Sequence, residues 1–177
     1  MLDAIRLWGS GRWFELRGAS ALSCLLLAAC SGASWKELDV QSGYQPPKEL
    51  TIAIEAPRSM KEESDALRSA LVGDLDDHGI KATVIHESIG SDADLSVVKW
   101  DPGSRTMRWL IGFGEGKAEL LLRVQTAFGV DGVMYGWVTG GGFGGDPANA
   151  AEAAGHALAY TIATGQRQKP PQTPPKH

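Results

Sequence analysis

The stretch that most restricts the fold lies two thirds of the way along the chain. Between Lys117 and Thr126, Ala118, Leu120, Leu122, Val124 and Thr126 alternate with Lys117, Glu119, Arg123 and Gln125. A period of two marks a strand with one face buried. Val133, Tyr135 and Trp137 repeat the period against Met134, Gly136 and Val138, and Asp131-Gly132 just before them is a tight-turn signal. The two runs, 117–127 and 133–139, are expected to pair as an antiparallel hairpin. Its inward face would be aliphatic on one arm and aromatic on the other. A hairpin of this kind needs a sheet around it and a second layer to cover it.

The rest of the chain supplies both. Leu50, Ile52 and Ile54 alternate with Thr51, Ala53 and Glu55, a strand that Ala56-Pro57 stops. Ser59 with Glu62 fits a capping box, and Leu67, Ala70, Leu71, Leu75 and His78 fall on one helical face. Gly79 stands where a helix ends. Strands are expected over 80–87, 94–100 and 105–111, with Asp101-Pro102-Gly103 as a turn. After the hairpin, Gly140–Gly145 is glycine-rich, and Asp146-Pro147 is an N-cap acid followed by proline at the first helical position. The alanine-rich stretch 148–164 then reads as a helix whose small residues permit close packing. The expected fold is α+β: a small, mostly antiparallel sheet of five or six strands with two helices packed on one face.

The N-terminal region reads as an address. Arg6, Arg12 and Arg17 precede an uncharged run from Ala19 to Cys30. A basic start, a short apolar run and small residues at its end describe a secretory signal peptide. The run is too short to span a bilayer, which takes roughly 20 residues. Leu27-Ala28-Ala29-Cys30 resembles the lipobox of bacterial lipoproteins in all four positions. That resemblance implies acylation of the Cys30 thiol, recognition of Leu27, Ala28 and Ala29 by the signal peptidase, cleavage before Cys30 and acylation of the new amine. Ser31 follows with no Asp, which in Gram-negative relatives implies sorting to the outer membrane, on its periplasmic face. Cys24 would leave with the leader, so the mature chain has no free thiol.

Four segments follow: a signal peptide, 1–29; the lipidated cysteine and a flexible tether, 30–48; a single periplasmic α+β domain, 49–165; and a proline-rich tail, 166–177. Trp35 and Tyr44 in the tether either touch the membrane interface or pack on the domain, the second being preferred. The tail, with Pro170, Pro171, Pro174 and Pro175, cannot fold alone and has polyproline character.

The stretch from Arg108 to Leu120, with Gly112, Gly114 and Gly116 ahead of the alternating strand, resembles the middle of an uncharacterised bacterial lipoprotein family, domain-of-unknown-function family 4410. Its order of hairpin, glycine-rich loop and alanine-rich helix is matched here, and the resemblance covers residues 49–164. It implies a cell-envelope location and brings no catalytic residue.

Motifs that suggest chemistry are weak. Gly116-Lys117 invites a phosphate-loop reading, but Ile111 stands where the first glycine belongs and Ala118 where a magnesium-binding hydroxyl belongs. A net charge of −4, about −5 once 1–29 is removed, argues against nucleic acid. Asp74, Asp76, Asp77 and His78 are spread around a helix axis and read as a solvated face; His86 and His156 have no zinc-binding companions. Neither a metal nor any other cofactor is expected, nor a nucleotide. The best ligand or partner loop is Gly142, Phe143, Gly144 and Asp146, before a helix N-terminus. The leading expectation is a non-enzymatic, membrane-anchored envelope lipoprotein that binds an envelope protein or glycan. The alternatives are a hydrolase or glycan-modifying enzyme using carboxylates such as Asp92, Asp94 or Asp131, and a structural component of a secretion or exopolysaccharide assembly.

Overall fold

A computed structural model describes residues 30–85, 88–103, 116–140 and 146–168. Six strands and two longer helices follow in the order β1 (Cys30–Val40), β2 (Glu49–Glu55), α1 (Lys61–Asp77), β3 (Lys81–Ile85), β4 (Ala93–Asp101), β5 (Gly116–Thr126), β6 (Val130–Gly140) and α2 (Pro147–Thr164). The strands form one sheet in the order β1-β6-β5-β4-β2-β3. Pairing is antiparallel from β1 to β4, and parallel where β2 meets β4 and β3. The architecture is α+β, as the periodicities predict. The expected strand at 105–111 lies outside the described residues.

Alternation decides which face each strand buries. Leu50 and Ile52 of β2, Leu95 of β4 and Ala118, Leu120, Leu122 and Val124 of β5 are buried beneath the helices. Leu67, Ala70, Leu71 and Leu75 of α1 and seven aliphatic residues of α2, from Ala150 to Ile162, close the core from above. His78 is not on that face: it is the exposed C-cap of α1. The helix ends in a Schellman arrangement, with Gly79 N–H donating to the Asp76 carbonyl and Ile80 N–H to that of Leu75. Nor does Ser59 cap α1; it sits inside a 3₁₀ turn (Arg58–Met60), and the N-cap is Met60 without a side-chain bond.

Three further expectations are corrected. Residues 30–40 are not tether but the edge strand β1, paired with β6 from Cys30↔Thr139 to Val40↔Val130. Glycine and serine there look like breakers, yet Ala33 and Trp35 point to the core, and a register shift between Trp35 and Glu37 interrupts the alternation that would have revealed a strand. The hairpin turn falls at residues 127–129, not at Asp131-Gly132. Gly129, at φ +88°, takes the left-handed conformation, and Asp131 Oδ1, already within β6, accepts the Thr126 N–H at 2.7 Å. The aromatic arm also faces the other way: Met134, Gly136 and Val138 are buried, and Tyr135 and Trp137 lie on the sheet face away from the helices. The reason is the close seat of α2, since a Cβ on Gly136 would lie 2.5 Å from the Ala150 carbonyl oxygen.

β1 is tied to α2 by a buried bond: Trp35 Nε1–H donates to Thr161 Oγ1 at 2.9 Å, and the threonine hydroxyl donates on to the Ala157 carbonyl at 3.0 Å. Substituting Thr161→Val keeps the shape and strands the indole N–H in the core. We expect a loss of about 1–3 kcal/mol, the cost of an unmet buried donor, read from urea unfolding midpoints at constant slope. An unchanged midpoint would remove this tie from the account.

Candidate functional site

Among the described residues, the open face of the sheet carries a cluster of polar and aromatic side chains. Glu119 of β5 lies opposite Trp137 of β6, and Leu121 opposite Tyr135. Two residues apart on one face of β6, Tyr135 and Trp137 stack, with ring centroids 5.5 Å apart and planes 20° from parallel. On the neighbouring strand Gly32 pairs with Trp137. A Cβ there would fall 2.7 Å from the indole, so the missing side chain lets the ring lie flat over β1. Lys36 Nζ stands 5.1 Å and Lys117 Nζ 5.6 Å from the centre of the Tyr135 ring, within cation–π range.

Glu119 ties the cluster together. It accepts the Tyr135 hydroxyl at 2.8 Å and pairs with Lys117 at 2.6 Å and Lys99 at 3.7 Å. The hydrogen bond from Lys117, then that from Tyr135 and the lysine charges, pull its carboxyl down to about 2. The same bond to Glu119 raises the Lys117 ammonium, and burial raises the Tyr135 phenol. Glu119 therefore stays ionised at neutral pH. Because its folded value lies below the ordinary 4.5, its contribution is full above about pH 4.5 and fades as pH falls toward 2. We expect the native chain to melt above Glu119→Gln at pH 7, with the gap closing between pH 4.5 and 2. A gap independent of pH would contradict this arrangement.

The carboxylates considered for catalysis are occupied elsewhere. Asp92 Oδ2 accepts the Thr51 N–H at 2.7 Å and its hydroxyl at 2.8 Å, and these bonds lower its pKa. Asp94 accepts the Ser91 hydroxyl. With Ser88, which bonds Glu55 at 2.7 Å, these residues strap a loop across the open face of β2, where Ala53 is only 1% exposed. Asp131 holds the β5–β6 turn, and it lines a hollow with Asp39 and Arg167.

Of the expected partner loop, Gly142, Phe143 and Gly144 lie outside the described residues. Asp146 caps α2, its Oδ1 accepting the Ala148 N–H at 3.0 Å. Leu27, Ala28 and Ala29 also lie outside; Cys30 is the first residue of β1. Asp74 leaves its acidic neighbours and joins His156 Nδ1 at 2.7 Å, linking the two helices. Among the described residues no group of three or more histidine, cysteine or acidic side chains is arranged around a metal site. No described helix is long and apolar enough to cross a membrane.

The open-face cluster escapes sequence reading because aromatic residues in an alternating strand are ordinarily assigned to the core. The one available signal was glycine at 136 between Tyr135 and Trp137, a position where β6 must be thin toward its helix.

Fold and cluster define a small α+β domain with one sheet face covered by helices and the other bearing an aromatic, charged patch. The chain belongs to the family described as Domain of unknown function (DUF4410), whose model matches residues 32–163 and so takes in β1 as well as the domain expected from 49. No curated protein matches. Solved structures give looser likenesses. A PelC dodecamer from Paraburkholderia phytofirmans is 12% identical over 80% of this chain and 100% of that one, with a TM-score of 0.42. A minor lipoprotein from Acinetobacter baumannii is 9% identical over 65% and 91%, at 0.37. A DUF330 protein from Xanthomonas campestris is 16% identical over 73% and 88%, at 0.32. At those scores neither a shared function nor a shared assembly follows.

Proposed function

We propose that the chain is a lipid-anchored envelope lipoprotein, acylated at Cys30 and held on the periplasmic face of the outer membrane, whose domain binds a glycan of the envelope and catalyses no reaction. The lipobox supports the anchor. The stacked Tyr135–Trp137 pair, flanked by Lys36, Lys117 and Glu119, carries the binding reading. Flat aromatic faces pack against the C–H faces of sugar rings, and fixed charged groups beside them meet the hydroxyls. Pre-set side chains reduce the ordering cost of binding. Because β1 starts at Cys30, the lipid-bearing residue is also the first residue of the sheet, and Trp137 lies over Gly32, about 7 Å further along the strand at the usual rise. The patch would thus meet ligands close to the bilayer surface.

Titrating purified, detergent-solubilised protein with fragments of peptidoglycan and of exopolysaccharide, followed by tryptophan emission and calorimetry, tests the reading. Trp137→Ala and Tyr135→Ala should each weaken binding roughly 30-fold, the effect of removing an aromatic anchor worth about 2 kcal/mol. Equal affinity of both variants and the native chain, or consumption of the glycan during titration, would reject it.

A further inference from the structure

The open-face cluster has two sides of different charge. Toward β4 the charges balance. Lys117 and Lys99 pair with Glu119. Asp101 stands opposite Glu119 in the register of β4 and β5, and its Oδ1 accepts the Gly103 N–H at 2.9 Å. That side holds two lysines and two acids. Toward β1 there is no such balance. Lys36 is exposed, and among the described residues no carboxylate pairs with it. Its contact is the Tyr135 ring, whose centre lies 5.1 Å from Nζ.

The backbone places Lys36 there. The register of β1 on β6 runs from Trp35↔Met134 directly to Glu37↔Val133, so Lys36 is the extra residue of the shift. Such a residue leaves the regular alternation, and its side chain is re-aimed. Glu37 and Arg123 stand on either side of Val133, the next residue of β6 on this face beyond Tyr135, and their charges offset in sum. Lys36 and Lys117 both lie over Tyr135, whereas no described cation lies over Trp137. The indole is therefore the platform left for a sugar ring. With the two ring centres 5.5 Å apart, Lys36 stands within reach of a disaccharide seated on Trp137.

We propose, resting on the glycan-binding reading above, that the patch selects an acidic glycan: a sugar ring packs on Trp137, and Lys36 meets a carboxylate of that ring or its neighbour. Charge complementarity carries this. The one cation of the patch without an acid partner among the described residues sits beside the free aromatic face, on the side away from Glu119 and Asp101. An ammonium offers three donors on a flexible stem, so it can follow a carboxylate held at more than one position of the sugar. A neutral sugar would leave that charge unused, and an amino sugar with a free amine would be repelled by it. A charge placed in this way sets which ligand is chosen more than how tightly ligands bind in total.

Calorimetric titration of the detergent-solubilised protein tests this. At about 0.1 M salt, charges more than about 10 Å away are largely screened, so the result reports the patch and not the negative net charge of the chain. The probes are oligomers of galacturonic acid and of mannuronic acid, each beside its methyl ester, which keeps the ring and its stereochemistry and removes the charge. In at least one pair the acid should bind about 5-fold more tightly than the ester, the upper end for an exposed ion pair. Lys36→Gln should bring that ratio close to one, and Lys36→Arg should keep it. Lys48→Gln removes the same charge just before β2, on the far side of β4 from the patch, and should also keep it. Esters that bind as tightly as acids, or a preference that survives Lys36→Gln, would overturn the proposal and leave the glycan reading standing. Binding of neither acids nor esters would overturn it too, and the titrations with peptidoglycan and exopolysaccharide fragments then decide separately whether the glycan reading falls with it.

Discussion

A Cys30→Ala chain expressed in a Gram-negative cell should take up no labelled palmitate, whereas the native chain should be labelled and its processing blocked by globomycin. The effect is all-or-none because a single thiol carries the diacylglyceryl group. Each buried methylene contributes about 0.8 kcal/mol, so two or three acyl chains hold a protein stably where one chain holds it only marginally. Any other membrane attachment of the cleaved chain would have to come from a surface with a net charge near −5, which anionic lipids repel. Since Cys30 is only the terminal residue of β1, the purified variant should keep native circular dichroism and melting. Continued palmitate labelling of Cys30→Ala would place the lipid elsewhere.

The second large effect concerns two glycines at the seat of α2. A Cβ on Gly155 would lie 2.8 Å from the Leu67 carbonyl oxygen and 2.9 Å from Ala70 Cβ, where α2 crosses α1. A Cβ on Gly136 would meet the Ala150 carbonyl at 2.5 Å, where α2 lies on β6. The obstructing atoms are mostly backbone, so neither clash is relieved by turning a side chain. Gly155→Leu and Gly136→Val should each cost about 3 kcal/mol, the upper end of overpacking effects. That is a large share of a stability of about 5–15 kcal/mol, and it should lower the melting temperature by roughly 10 °C. Gly73→Ala on the exposed side of α1, where a Cβ meets nothing within 4 Å, is the control and should raise stability slightly. Melting temperatures of Gly155→Leu and Gly136→Val within a degree of the native value would contradict the close seating of α2.

Much of the fold could be read from the sequence wherever one period ran unbroken. Leu50, Ile52 and Ile54 mark β2, Leu67, Leu71 and Leu75 mark α1, and Asp146-Pro147 marks the start of α2, because each pattern has one physical solution. β1 is not legible in the sequence because its inward residues, Ala33 and Trp35, are followed by a register shift at Lys36, and because Gly32 serves Trp137 on another strand. No local pattern reports a requirement set 105 residues away. The orientation of Tyr135 and Trp137 is hidden from the sequence for a related reason. Hydrophobicity ranks tryptophan above glycine, but α2 is seated so near β6 that only Gly136 fits beneath Ala150. The patch was therefore hidden from sequence reading, and it appears only when the two sheet faces are told apart. Glu119 illustrates the same limit: its partners Lys117 and Tyr135 are ordinary residues until the strand pairing brings them together.

The most direct test of the account is the mass of the N-terminal peptide of protein extracted from envelope membranes. The expected peptide begins at Cys30, carries a thioether-linked diacylglyceryl group and an amide-linked acyl chain, and contains nothing from residues 1–29. An unmodified peptide running from Ala29 through Cys30 to Ser31 in soluble material from inside the cell would contradict it.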